Sequence, residues 1–278
     1  VLSREIKDAV IEIIRDVARE EILPRFRELS DDAISTKSGF DDLVTVADLA
    51  AEKAMTQRFQ DLIPDAQIVG EESVAADESV LDKLDSQELV FVIDPIDGTW
   101  NFANGLSIFG VLIAIVYQGE TIFGVLYDVV NDDWVEASKG EGAWFVRPGE
   151  APRPYRIEEQ TTDIKLVGFF SPFLFKNSER RLKAADLQPK YARTIALRCC
   201  CHEYRTLLRG NVDFSVSPKT NAWDHAAGIL AYQEAGGVVR MLDGQTYRPA
   251  IRKGVIVAGR NTAVVDAICR DVSPIVAD

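Results

Sequence analysis

The stretch Val92-Ile93-Asp94-Pro95-Ile96-Asp97-Gly98-Thr99-Trp100-Asn101-Phe102 closes an apolar run over residues 89–93 and decides how the rest of the chain is read. A continuous apolar run of that length suits a strand buried on both faces. Asp94 and Asp97 then leave the strand end, Pro95 stiffens the turn between them, and Gly98-Thr99 can open a helix whose first backbone N–H groups lack an intrahelical acceptor. Such a helix start can cradle a phosphate while the two carboxylates grip a cation on its other side. A plain turn and helix cap fit the same residues, because Asp-Pro and Asp-Gly are common turn dipeptides.

Other acidic elements shift the balance towards chemistry. Residues 43–46 read as a short strand running into Asp48, which opens a helix through Ala51-Glu52-Lys53-Ala54-Met55. Gly70-Glu71-Glu72-Ser73 follows the apolar pair Ile68-Val69, and Trp223-Asp224-His225-Ala226-Ala227-Gly228 opens another helix. Each acid alone could simply balance a helix dipole, and Asp48 could be an N-cap.

Composition narrows the classes. The chain has 278 residues, 47% of them apolar and 27% charged, as in ordinary globular proteins. Its formal charge of -13 argues against nucleic acid or an anionic membrane as a general partner, since each phosphate contact would need a basic group. Small phosphorylated substrates remain compatible if divalent cations reverse the local charge. No apolar stretch approaches the roughly 20 residues needed to span a bilayer, and the N-terminal VLSREIKDAV lacks a leader pattern. A cytoplasmic protein is expected. Cys199, Cys200 and Cys201 are consecutive and Cys269 is distant, with no CxxC pair, so zinc is disfavoured and reduced, partly buried thiols on a helix are expected. With His202 and His225 the only histidines, carboxylate chemistry is left.

Along the chain, Leu2, Ile6, Val10, Ile13, Ile14 and Val17 predict an amphipathic first helix that Pro24 kinks or ends. An acidic surface excursion covers residues 71–88. Two long β-branched and aromatic runs joined at Gln118-Gly119-Glu120 predict a hairpin, extended by strands at 134–137 and 143–146. The Pro-rich stretch 148–154 suggests a boundary between an N-terminal α+β half, 1–150, and a C-terminal α/β half, 151–278. The second half alternates strands (164–170, 212–216, 238–241, 255–258) with helices (179–185, 200–209, 224–235, 263–270).

Four ordered elements, Asp42-Leu43-Val44-Thr45-Val46-Ala47-Asp48, Gly70-Glu71-Glu72, Asp94-Pro95-Ile96-Asp97-Gly98-Thr99 and Trp223-Asp224-His225-Ala226-Ala227-Gly228, span nearly the whole chain. In this order they resemble the inositol monophosphatase family, within the superfamily that includes fructose-1,6-bisphosphatase and nucleotide 3′-phosphate phosphatases. The resemblance implies a layered α/β (α+β) sandwich with a largely antiparallel N-terminal sheet, a second C-terminal sheet, and helix layers between and outside. It implies a hydrolase acting on small phosphate monoesters through a metal-activated water, without a covalent intermediate. Two to three Mg²⁺ are implied: Glu71, Asp94 and the Ile96 carbonyl for the first, Asp94, Asp97 and Asp224 for the second, with a weaker third near Glu71. Asp48 and Thr99 would position the nucleophilic water, and the N–H groups of Gly98 and Thr99 would bind phosphate. Lithium sensitivity and a homodimer are further family traits.

The resemblance thins at the substrate wall. Ser217 stands where inositol-selective members carry a glutamate, and Lys219 adds a cation that either favours a second anionic group or is merely solvated. Lys37 matches a lysine often near the pocket, though a solvated loop lysine fits as well. Trp100 replaces a small polar residue and is given no ligand role. Histidinol-phosphate, sugar-bisphosphate and nucleotide 3′-phosphate remain alternative substrates, and a partner-binding scaffold is the alternative from another class.

Overall fold

The computed structural model describes residues 2–30, 33–36, 43–158 and 165–277. Helix α1 (Arg4–Val17) buries Val10, Ile11, Ile14 and Val17, and α2 (Val46–Leu62) buries Ala47, Ala51, Met55 and Phe59. Near Pro24 the first helix changes winding, through a wide turn at Ala18–Ile22 and a tight one at Leu23–Arg25. Two short strands, β1 (Ile34–Thr36) and β2 (Leu43–Thr45), pair antiparallel before α2. The second strand stops one residue short of the expected Val46 because Thr45 caps α2.

A seven-stranded sheet follows in the order β3 (Gln67–Gly70), β4 (Leu89–Asp97), β5 (Gly110–Tyr117), β6 (Glu120–Asp128), β7 (Asp133–Ser138), β8 (Gly142–Val146) and β9 (Arg153–Pro154). Strands β3 and β4 run parallel and each later pair antiparallel, with the expected hairpin joining β5 to β6. The acidic excursion between β3 and β4 is more ordered than its weak periodicity suggested. It forms α3 (Glu71–Ala76) and a tight helical stretch at Glu78–Asp85 that buries Leu84.

Side chains alternate across the pleat and sort into two cores. Phe91, Ile93, Ile113, Ile115, Phe123 and Val125 pack with α1 and α2. Val90, Val92, Leu112, Ala114, Val116 and Leu126 pack with α6 (Cys200–Leu208) and α7 (Ala222–Glu234). A second sheet has the order β11-β10-β12-β14-β13, comprising β10 (Val167–Phe169), β11 (Arg193–Ile195), β12 (Phe214–Ser217), β13 (Val238–Met241) and β14 (Ile256–Gly259). Phe169, Val239, Met241, Ile256 and Ala258 of this sheet join the α6/α7 core. Its other face, with Phe214, Val216 and Val257, packs with α5 (Ser178–Leu187) and α8 (Thr262–Val276).

The result is the layered α/β sandwich: helices, sheet, helices, sheet, helices. Strand β11 was not anticipated, since Arg193-Thr194-Ile195 carries no apolar run and exists through its parallel ladder with β10. Helix α8 continues past the expected end near residue 270 to Val276, with Pro274 inside its last turn. The chain leaves the first sheet only after β9, and residues from both sides of position 150 meet in one core. Among the described residues no helix is long and apolar enough to cross a membrane.

Candidate active site

Asp94 and Asp97 sit inside the last residues of β4 rather than beyond its end. Asp94 pairs with Leu112 and Asp97 with Gly110, with an irregularity between them. The extra residue on β4 is a bulge, a device that re-aims side chains at sheet ends. Both carboxylates are buried, at 1% and 6% exposure. Gly98 follows with φ of 89°, and a Cβ there would lie 2.9 Å from the Ile108 carbonyl oxygen. This turn lets α4 (Thr99–Ala103) begin beside the carboxylates. Gly98→Ala is expected to cost about 1–3 kcal/mol through the left-handed backbone and to displace Thr99. Thermal melting and phosphatase rates measured on the same sample check this, and an unchanged melt would contradict the strain.

Asp224 arrives from the first turn of α7, where Asn221 Nδ2 donates to its Oδ2 at 3.0 Å. Oxygens of Asp94, Asp97 and Asp224 lie within 4.8 Å of one another. Burial, then the neighbouring Glu71, Asp97, Asp224 and Asp48 charges, hold Asp94 well above the usual carboxylate range. Asp97 is pushed up to about 7 by burial and by Asp224, against the opposing pull of the Cys201 N–H. Asp94 Oδ1 is buried without a hydrogen-bond partner among the described residues. An acceptor left like this costs about 1–3 kcal/mol. A hard divalent cation answers both the missing partner and the crowded charge, because the converging donors are all oxygens.

Glu71 opens α3, and α2 aims that helix start. Glu52 accepts hydrogen bonds from the Glu72 N–H at 2.7 Å, the Ser73 N–H at 2.8 Å and the Ser73 hydroxyl at 2.5 Å. Gly70 makes room for it, since a Cβ there would fall 2.2 Å from Glu52 Cδ. Sequence reasoning missed Glu52, although an acid beside the apolar stripe of α2 was the available signal.

Asp48 is fully buried and is not the N-cap of α2. Thr45 holds that position, and Asp48 is the third helical residue of a capping box. Its Oδ2 accepts from the Thr45 N–H at 2.9 Å and from the Thr45 hydroxyl at 2.5 Å. The Thr99 hydroxyl lies 3.2 Å from Asp48 Oδ1 and 3.1 Å from the Ile96 carbonyl oxygen. Capping and a place at the site therefore coexist in one carboxylate.

The cysteine run supports the site rather than lying idle. All four cysteines are free of disulfides, and Cys199 holds the N-cap position of α6 without a side-chain capping bond. The Cys201 N–H donates to Asp97 Oδ2, and Cys199 Sγ lies 3.2 Å from the same oxygen. Asn101 Nδ2 donates to the Ile108 and Leu197 carbonyls, each at 2.8 Å, tying α4 to this loop. Glu203 accepts from the Leu197 N–H at 3.0 Å, and burial pushes its carboxyl up to about 8. Arg198 adopts φ of 55° and places its guanidinium 4.5 Å from the centre of the Trp100 ring, a cation–π contact.

Ser217 is partly buried, and its hydroxyl donates to the Lys219 carbonyl at 2.9 Å while lying 3.1 Å from His225 Nε2. Lys219 is exposed and lines a cavity of about 630 Å³ with Lys176, Arg180, Arg252 and Lys253. None of the site carboxylates lines that cavity. Lys37 and Asp42 lie outside the described residues.

The family model described as the inositol monophosphatase family matches residues 2–277. The chain is 32% identical over 218 residues to the inositol-1-monophosphatase of Bacillus subtilis, covering 77% of this chain and 78% of the relative. It is 33% identical over 229 residues to Nus factor SuhB of Pasteurella multocida, covering 78% and 79%. The structure of the Thermotoga maritima IMPase superposes with a TM-score of 0.80 at 25% identity, over 97% of each chain. With the layered fold and a buried carboxylate cluster at the end of β4, this match places the chain in the inositol monophosphatase family, whose members are phosphatases that hydrolyse phosphoric monoesters.

Proposed function

We propose that the protein hydrolyses small phosphate monoesters with Mg²⁺, without strong preference for an inositol ring. The observation that carries this reading is the buried cluster of Asp94, Asp97 and Asp224 with an Asp94 oxygen left unpartnered. Glu71, Asp94, the Ile96 carbonyl, Asp97 and Asp224 would hold two to three ions. Bound there, Mg²⁺ supplies positive charge against the transferring phosphoryl group and makes water a better nucleophile. The Asp48–Thr99 hydrogen bond positions an acceptor for the proton of the attacking water. The backbone N–H groups of Gly98 and Thr99 take phosphate oxygens.

The substrate reading rests on Ser217. Its hydroxyl proton is committed to the Lys219 carbonyl, and it is too short and uncharged to replace a glutamate acceptor. Phosphate release from a panel of monoesters should vanish after chelation, return with Mg²⁺, and fall with excess Ca²⁺, whose longer and looser bonds misplace the water. Turnover in a fully chelated sample would overturn the metal requirement. On the same panel, a preference for myo-inositol 1-phosphate above about a hundredfold would show that another group does the work of the missing glutamate. If Lys219 meets substrate, Lys219→Ala should harm a bisphosphate more than a neutral polyol phosphate, and an equal effect on both makes it a surface residue.

Similarity to a Nus factor keeps a partner-binding role as the second reading. A protein that bound partners while releasing no phosphate from any member of the panel with Mg²⁺ would favour it.

A further inference from the structure

Beside the oxygen cluster lies a second constellation of different chemistry. Donor atoms of Cys200, Asp224 and His225 lie within 4.8 Å of one another. We propose that Cys200 Sγ, Asp224 and His225 Nδ1 form a binding site for a thiophilic divalent cation of the Zn²⁺ class, sharing Asp224 with the oxygen cluster.

The donor set is the first argument. Sulfur, nitrogen and oxygen from three residues, with a fourth position left for water, is a composition that suits Zn²⁺ and that Mg²⁺ does not use. Local structure supplies the second. Cys200 is the first residue of α6 and Tyr204 stands one turn later on the same face. The Ser217 hydroxyl donates to the Lys219 carbonyl at 2.9 Å, so His225 Nε2, 3.1 Å away, is the protonated nitrogen that donates to Ser217. His225 Nδ1 therefore carries the lone pair, and it accepts from the Tyr204 hydroxyl at 3.0 Å. That lone pair faces the hydroxyl of Tyr204, whose position on α6 is one turn after Cys200. On binding, Nδ1 would exchange the Tyr204 hydroxyl for the ion, and the Cys200 S–H would release its proton to solvent. Nε2 would keep Ser217, the outer-shell support typical of metal-bound imidazoles. Three consecutive thiols cannot face one ion, and the fold does not ask them to: the Cys199 thiol faces Asp97, the Cys201 thiol faces the Tyr127 carbonyl, and the Cys200 thiol is near Asp224 and His225.

The test uses the full-length, metal-stripped protein with Co²⁺ as a spectroscopic stand-in for Zn²⁺. A thiolate-to-cobalt charge-transfer band should appear, persist in Cys269→Ser, and disappear in Cys200→Ser. Displacement of Co²⁺ by Zn²⁺ should report an affinity weakened at least about tenfold in His225→Gln, the size that even an outer-shell change produces. Circular dichroism on each variant confirms that it is folded. Absence of the band in the wild type, or its survival in Cys200→Ser, overturns the site. The readout is independent of turnover: if the Mg²⁺ reading failed, the cobalt band would still be expected, and if the band failed, Mg²⁺-dependent phosphate release would stand.

Discussion

Asp94→Asn will lower turnover at saturating Mg²⁺ by at least on the order of 10³, comparable to removing a major electrostatic stabiliser, while the protein remains folded. Asp94 is the most buried member of its cluster and feels the charges of Glu71, Asp97, Asp224 and Asp48 together. A neutral amide there removes the charge proposed to serve two ions at once, whereas Asp224→Asn removes a ligand of one and should cost less. Stability should move the opposite way. Without metal, the folded state carries crowded buried carboxylates, so Asp94→Asn should melt at or above the wild type and lose the upward shift that Mg²⁺ gives. The pH dependence has a defined sign. Asp97 is raised to about 7 in the fold, against roughly 3.9 unfolded, so its contribution to metal-free stability is complete below the unfolded value and is lost as pH rises towards 7. Metal-free wild type should therefore become more stable on acidification across that window, and Mg²⁺ should flatten the slope. Near-normal turnover of Asp94→Asn would show that the two ions are not bridged there.

The largest expected effect on stability alone is Arg205→Leu. Arg205 on α6 crosses to the first sheet, donating to the Leu126 carbonyl at 2.9 Å and to the carboxylate of Asp133, with Asp128 at 3.8 Å. Asp133 and Asp128 are buried, at 2% and 5% exposure. Removing the guanidinium strands buried negative charge, a change that costs about 3–5 kcal/mol. Arg147, largely exposed, also pairs with Asp133 at 2.6 Å and will recover only part of this. Chemical denaturation checks the magnitude, and a loss under 1 kcal/mol would mean water already reaches the pair. Arg205→Lys should recover little, because an ammonium cannot reach the carbonyl and the carboxylate together as the planar fork does.

Much of the architecture is local in origin and legible in the chain. The buried run before Asp94, the hairpin at Gln118-Gly119, and the amphipathic stripe of α1 depend on periodicity and turn chemistry, which act between near neighbours. The order of the acidic motifs was likewise enough to point to a metal-assisted phosphatase. The structure then brought Asp94, Asp97 and Asp224 together from β4 and α7.

What the chain could not state is which residues far apart in sequence share a carboxylate. Asp48 was open between cap and site, and only the arrival of the Thr99 hydroxyl from α4 gave it both. The role of Glu52 arises only where α3 places its N–H groups on it. The cysteine run separated into the Cys199 thiol and the Cys201 N–H serving Asp97 and the Cys200 thiol near Asp224, a division set by where α6 begins beside the end of β4. Strand β11 has no pattern of its own and exists through its ladder with β10. Sequence determined most of the elements and pointed to the family, because periodicity, turn chemistry and the order of the acidic motifs are written in the chain. Tertiary structure decided burial, and with it which carboxylate oxygen is left without a hydrogen-bond partner, because desolvation and long-range hydrogen bonds exist only once distant segments have packed.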